Sequence, residues 1–517
     1  MAAKSYSIVE YYSEQKNYKC GYCKGPNSSF SHGMWSHKLT VQDYQNLIDR
    51  GWRRSGSYCY KPMMDQTCCP AYTIRCEALD FKISKSQKKI LKRMANFLKN
   101  KLNKDEGMAT SDIDVDHHDK LDISITDIPN YEILATKAGA NALKINVTSV
   151  SSEVNERLQG AENSQSFSES RSKASFPTQL AETDSKSKIL PFKDTVLNKK
   201  QMSSVDPNER PLKKAKLMRL ERKQNKLLSQ GKSVTEIEAM MKERKQPQSG
   251  NKTLEELFSE INSESNKLEM RLVRTAPMNS EYISTANESF EVYKKYQTKI
   301  HGERKVTMKQ FTRFLVKSPL QEWCPEDGPP QGYGSFHEQY WLNGQLIAVG
   351  VIDILPSCVS SVYFFYDPTY SHLSLGTFSS LREVFLTRQL NRTAPNLKYY
   401  YMGFYIHICP KMRYKARMTP SKLLCPETYA FCDIDKCLPK LDAHKYSRLN
   451  DDIDAIDEDG VVNTEEVLVL YRERAMTYGT YKRRMWLVND EDEIREYATL
   501  VGMKCAKSIL LYRSCAV

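Results

Sequence analysis

Long apolar runs are missing from this chain. No window of its 517 residues approaches the roughly 18 uninterrupted apolar residues of a membrane-spanning helix, so no membrane association is expected. The opening residues, MAAKSYSIVEYYSEQ, have no apolar core of the signal-peptide kind, and secretion is not expected either. No internal repeat appears. In a large chain without a secretion signal, the 14 cysteines read as reduced thiols, kept for metal binding or packing rather than for disulfides.

What the chain does have is a surplus of cations. Lys and Arg number 76 against 63 Asp and Glu, a formal charge of +13. That surplus points toward an anionic partner, nucleic acid first, although many soluble proteins are mildly basic without one. Hydrophobic residues at 40% allow globular folding, whereas a mean hydropathy of −0.59 is wet for this length. Ordered domains diluted by a polar stretch would give this mixture, and the length predicts two or more folded units.

The composition divides the chain into four parts. Residues 1–104 are dense in Cys, Tyr, Gly, Trp and Pro and read as a cysteine-rich, metal-binding lobe. They close on a helix from Ser84 to Leu102, whose Ile90, Leu91, Met94, Phe97 and Leu98 form one apolar stripe. Residues 105–265 read as a largely disordered insert with an acidic run, 112–119, and a basic helical stretch, 208–245. That stretch suits phosphates or nuclear import around Lys213 to Lys216; a plain solvated helix is the alternative. Residues 266–440 alternate strands and helices: a strand near Leu268, a helix capped by Ser284 or Thr285, a hairpin at Asn343-Gly344, a helix from Leu375 to Leu390, and a strand KYYYMGFYIH. Residues 441–517 are expected to complete this lobe, with a helix near Asp490 to Val501 packing back.

Three clusters carry candidate chemistry. The Leu375 helix opens on Ser374-Leu-Gly376-Thr377, whose free N–H groups would seat a phosphate or oxyanion, though capping alone also explains such residues. Together with the hairpin sheet before it, this helix start suggests an α/β (α+β) acyltransferase lobe of the GCN5-related N-acyltransferase (GNAT) type. The usual glycine-rich coenzyme A loop is absent, so coenzyme A is not expected to carry the acyl group. Next, Tyr399 to Ile406 runs into Lys411, Arg413, Tyr414, Lys415 and Arg417, where cations alternate with flat rings as a single-stranded RNA end requires. Finally, Cys20-x2-Cys23 and Cys68-Cys69 offer four thiolates, with Cys59, Cys76, His32 and His37 as alternative ligands.

The motifs Cys20-Gly-Tyr-Cys23, Cys68-Cys69-Pro70, His337-Glu-Gln-Tyr340, Tyr366-Asp367-Pro368 with Ser374-Leu-Gly376, Tyr401-Met-Gly-Phe-Tyr405 and Cys409-Pro-Lys-Met-Arg-Tyr-Lys415 resemble those of the eukaryotic arginyl-tRNA–protein transferase family along nearly the whole chain. The resemblance implies transfer of arginine from arginyl-tRNA to proteins that begin with Asp, Glu or oxidised Cys, marking them for ubiquitin-dependent degradation in cytoplasm and nucleus. It also implies an iron–sulfur cluster or zinc at Cys20, Cys23, Cys68 and Cys69; soft thiolates accept either. Amine attack on an activated ester needs a proton acceptor, an oxyanion partner and a carboxylate for the arginine side chain. Glu338, Asp353 and Asp367 are the acids expected to contact amine or guanidinium, and Gln339 and Tyr340 the groups expected to polarise the ester.

Two other readings compete with this one. A non-catalytic RNA-binding zinc protein would use the same cysteines and basic runs. An EF-hand loop is mimicked by Asp457, Asp459, Gly460 and Glu466, but Ala455 sits where the first ligand belongs, and a plain acidic loop is expected.

Overall fold

Strong local signals set the first elements of the fold. In this computed structural model, the described residues are 6–99, 147–150, 154, 227, 229, 252–261, 266–485 and 489–514. The chain forms two units, residues 1–164 with 253–517, and residues 165–252. Nearly all of the second unit, the 112–119 run, Lys213 to Lys216 and most of the basic helical stretch lie outside the described residues.

Helix α1 (Val41–Ile48) starts at Thr40, whose hydroxyl accepts from Asp43 N, and α2 (Lys85–Leu98) starts with a capping box between Ser84 and Gln87. Helix α3 (Ser280–His301) is capped by Asn279, whose Oδ1 accepts from Tyr282 N at 2.7 Å; the expected caps, Ser284 and Thr285, lie inside the helix instead. Both are Ser/Thr residues that bond back to Glu281 O, so the earlier Asn wins the cap position. Helix α4 (Leu375–Asn391) follows its expected span, and α5 (Glu491–Val501) lies near the C-terminus.

The strands form two eight-stranded sheets. Strands β1 (Ser7–Tyr18), β2 (Ser29–Lys38), β3 (Arg53–Ser55), β4 (Tyr58–Pro62) and β5 (Tyr72–Glu77) come first, and β6 (Ser149–Val150) follows. Next are β7 (Leu268–Ala276), β8 (Gly334–Leu342), β9 (Gln345–Ile354), β10 (Cys358–Tyr366) and β11 (Tyr399–Tyr405). Strands β12 (Ser421–Leu424), β13 (Phe431–Asp433), β14 (Leu468–Tyr471), β15 (Arg474–Thr477) and β16 (Ile509–Arg513) complete the set. The first sheet runs β3-β4-β2-β1-β16-β14-β15-β6, and the second β13-β12-β5-β11-β10-β9-β8-β7. The β8–β9 hairpin turns on Asn343 and Gly344, both at positive φ, as the sequence signal requires.

These pairings redraw the expected boundaries. Residues 6–99 do not fold as a separate lobe, because β5 sits inside the second sheet, antiparallel to β11. The C-terminal strand β16 pairs in parallel with β1, so residues 441–514 join the N-terminal strands rather than extend the sheet of 266–440. One buried cluster joins the sheets, with Val9, Met34 and Cys59 packing among Phe336, Ile352, Ile354 and Tyr401. Polar bridges cross the same interface. Arg54 of β3 donates to both oxygens of Asp353 on β9 at 2.8 and 2.6 Å, and Tyr401 Oη donates to Asp49 at 2.5 Å.

Candidate active site and thiol centre

The centre of the second sheet opens. Strands β10 and β11 pair in parallel only from Cys358–Tyr399 to Ser360–Tyr401. Beyond that point, Gly403 takes φ 71°, the β5–β11 register slips between Tyr401 and Phe404, and β10 carries its own register shift between Ser361 and Tyr363. The two bulges bend the strands, and Ser361 to Phe364 become partly exposed in mid-sheet. Helix α4 packs over the opening, and its side chains reach into it. Ser379 Oγ donates to Glu383 Oε1 at 2.8 Å, while Glu383 Oε2 is buried without a hydrogen-bond partner at good geometry. Burial pushes the Glu383 carboxyl up to about 7, against the pull of Ser379, Tyr400 and Ser361.

Most of the expected acids are already engaged. Glu338 is buried on the α4 face, where it accepts from Arg382 Nε at 2.8 Å and from Tyr340 Oη at 3.1 Å. Gln339 points to the other face; it donates to Thr285 Oγ1 at 2.7 Å and accepts from Trp341 Nε1 at 3.1 Å. His337 lies on Gln339's side, buried against Leu315 O, and burial drives it down to about 4. Asp353 is fully buried between the sheets with Arg54 and Ser335, so it contacts no substrate: the expectation of a guanidinium contact is met by the protein's own arginine. Asp367 accepts from Lys295 at 2.9 Å and from Thr369 N at 3.0 Å. Burial raises it, but those bonds win and hold it below the usual carboxylate range.

The basic run divides as well. Arg413 and Arg417 are exposed, and Lys411 is half-buried. Lys415 is not a surface cation: its Nζ donates to Met402 O and Phe404 O at 2.7 Å each, fixing the bulged part of β11, and burial lowers it to about 7. Tyr414 turns inward toward Ser380 and Glu383, and burial raises it to about 12. A turn of 3-10 helix, Pro410–Arg417, causes this split, because it alternates inward and outward positions where an extended strand would have lined up one face. Ser374 sits at φ 55° and accepts from Arg93 Nη1 at 3.2 Å, so Arg93 of α2 reaches the start of α4. No side chain crowds Gly376 there.

The thiols of Cys20, Cys23, Cys68 and Cys69 gather as expected, all four Sγ atoms within 4.8 Å of one another and Cys23 to Cys68 at 3.3 Å. The turn after Cys20 is tied by Lys24 N to Cys20 O and by Cys20 N to Gly25 O, and Tyr22 N points at Cys20 Sγ. A bond from Cys69 holds Cys20 down to about 4 and in turn pushes Cys69 up. Tetrahedral coordination at about 2.3 Å per metal–sulfur bond needs sulfurs about 3.8 Å apart, and this tetrad has that scale. The four residues fit a metal ion. Of the alternative ligands, Cys59 bonds Ser36, Cys76 is buried in β5, and His32 and His37 face Tyr11 and Glu10.

Three buried ionisable groups escaped the sequence reading: Glu383, Arg54 and Lys61. Only Glu383 left a signal, as an acid inside an apolar helix with Ser379 one turn before it. The EF-hand lookalike is a plain loop whose Asp457 binds Arg50.

These features define a mixed α/β protein with an opened central sheet and a tetrathiol centre at the same end. Residues 18–89 match the family model described as Arginine-tRNA-protein transferase, N terminus, and residues 288–425 the one described as C terminus. A relative from Drosophila melanogaster, named Arginyl-tRNA--protein transferase 1, is 42% identical over 98% of this chain and 99% of its own. Arginyl-tRNA--protein transferase 2 of Arabidopsis thaliana is 35% identical over 83% of this chain and 76% of its own. An aspartate/glutamate leucyltransferase of Campylobacter jejuni is 39% identical over 16% of this chain and 34% of its own. The chain belongs to the arginyl-tRNA–protein transferase family.

Proposed function

We propose that this protein transfers arginine from arginyl-tRNA to the α-amino group of proteins that begin with Asp, Glu or oxidised Cys, and that the product is marked for ubiquitin-dependent degradation in cytoplasm and nucleus. The observation that carries the reading is the parting of β10 and β11 under α4, in a chain whose relatives are named for this transfer. The order β7, α3, β8, β9, β10, α4, β11 suits a GNAT-like lobe. Its opened edge is where an acyl carrier and an amine would meet, with the tRNA ester taking the place of coenzyme A.

In the transfer, the neutral amine attacks the ester carbonyl, the amide C–N bond forms and the ester C–O bond breaks. The amine gives up a proton, and the leaving ribose oxygen gains one. Glu383 suits the accepting role through its unpartnered oxygen and its raised carboxyl. Arg413 and Arg417 suit the tRNA phosphates, with Lys411, Ser374 and Gly376 beside the path. Glu338 and Asp367, expected to contact the amine or guanidinium, are paired instead with Arg382 and Lys295 and would orient those cations. The four thiols suit a single tetrahedral ion of the zinc type better than a multi-iron cluster, which spreads its thiolates over separate irons. The ion would fix the cysteine turns against β5 and β11.

The test is transfer of labelled arginine from charged tRNA to peptides beginning with Asp, Glu or Ala. Label on the first two and little on the third is the expected result. Label on the Ala peptide alone, or on none, would sink the reading and favour a non-catalytic RNA-binding zinc protein.

A further inference from the structure

A second feature lies at the same end of the sheet. Beside β5 is a shallow, open cleft lined by Met64, Ala71, Tyr72 and Tyr429 and by two cations, Arg50 and Lys61. Its place follows from register: Tyr72 pairs with Tyr405 and Ala71 follows Cys69-Pro70, so the cleft adjoins both the thiol centre and the parted end of β11. In open α/β sheets, ligands gather at the carboxyl ends of the parallel strands, which is this end.

The two cations differ. Arg50 is fully committed: Asp457 accepts from both its terminal nitrogens at 2.9 and 2.6 Å, Thr499 O accepts at 3.0 Å, and the guanidinium lies 4.1 Å from the Tyr429 ring centre. Lys61 has no carboxylate. Its Nζ donates to Tyr429 Oη at 2.6 Å and to Leu500 O at 3.1 Å, and among the described residues it makes no ion pair. In its protonated form the ammonium has three N–H donors, so one remains for an incoming anion. Burial, with Arg50 nearby, drives this amine well below its ordinary range. Asp457 attracts this amine from a distance but is paired to Arg50, and an incoming carboxylate would favour the charged form that burial disfavours.

We propose that this cleft reads the acidic side chain at the N-terminus of the acceptor protein, with Lys61 as the countercharge and Tyr429 holding its amine in place. The proposal rests on the transfer reading above and names how that reading selects its acceptor. The apolar walls suit the methylenes of Asp or Glu. A tRNA strand would need exposed cations in series, whereas Lys61 is 8% and Arg50 6% exposed.

The test compares wild type with Lys61→Met and Tyr429→Phe, each as the full metal-loaded chain, in transfer to an Asp-initiated peptide. Loss of a charge-assisted bond predicts a peptide KM about 10- to 100-fold higher for Lys61→Met, with the KM for charged tRNA unchanged and no fall in melting temperature. Tyr429→Phe raises the peptide KM less, by about 3- to 10-fold, and decides the matter if the lysine variant fails to fold. A peptide KM within twofold of wild type overturns the cleft while leaving the transferase intact. So does a parallel rise in both KM values, which would show a tRNA contact. Wild-type protein that transfers nothing to acidic peptides overturns the transfer reading and the cleft with it.

Discussion

Replacing Asp353 with Asn separates a structural acid from a catalytic one. Asp353 and Arg54 have side chains 0% and 2% exposed, joined by two bonds of 2.6 and 2.8 Å across the two sheets. Ser335 Oγ adds a third bond to Asp353 at 2.6 Å and itself meets Ser318. The amide keeps the shape, but it removes the charge and turns one acceptor into a donor facing the guanidinium. Arg54 then stays charged in the sheet interface, because a guanidinium does not give up its proton. Breaking a buried pair this way costs about 3–5 kcal/mol, out of a typical total of about 5–15 kcal/mol. At about 2 °C per kcal/mol for a large domain, melting should fall by about 6–10 °C, read by circular dichroism. The paired change Arg54→Met with Asp353→Leu should recover most of that loss, since an apolar pair leaves no charge stranded. A variant that melts within about 2 °C of wild type yet transfers no arginine would refute this account and place Asp353 against substrate.

The remaining predictions test the other groups. Glu383→Gln should remove the acid limb near pH 7 from the pH profile of transfer; an unchanged limb would clear Glu383 of proton acceptance. Its linkage sign is negative: the folded carboxyl titrates near 7 and the unfolded one near 4.5, so wild-type stability should fall as pH rises from about 4.5 to 7, and the variant's urea midpoint should stay flat there. Arg413→Ala with Arg417→Ala should lower the salt slope of tRNA binding by roughly 0.7–0.9 per cation, whereas Lys415→Met should leave the slope alone, as filter binding at several salt concentrations would report. Cys23→Ser should release one equivalent of metal by elemental analysis and destabilise the turn at Cys20; wild type holding neither zinc nor iron would remove the thiol-centre reading.

Which features the sequence disclosed depends on the range of the interaction that makes them. The Asn343-Gly344 turn, the Ser84 box, the α4 span and the Cys-x2-Cys knuckle rest on contacts within a few residues, and each is legible because its residues carry their own geometry. The lobe boundaries were not, because β1–β16 and β5–β11 pair residues hundreds of positions apart and nothing local in either strand names its partner. The same limit explains the acids. Glu338, Asp353 and Asp367 all stand on strands or strand ends, where alternation gives a face but not what fills it; Arg382, Arg54 and Lys295 fill it from elsewhere in the chain. Conversely, Glu383 and Lys61 carry interest because neither is joined to an opposite charge of its own: Glu383 Oε2 has no well-aligned hydrogen bond and Lys61 has only a hydroxyl, a carbonyl and a ring about it, and that is a property only the packed structure has. A titratable group joined to its partners is architecture; one left a bond short, buried, and set where a sheet parts or a cleft opens is held for something that arrives. By that criterion the groups to test first lie on α4 and β4, whereas the acids that the sequence singled out lie on β8, on β9 and just past β10.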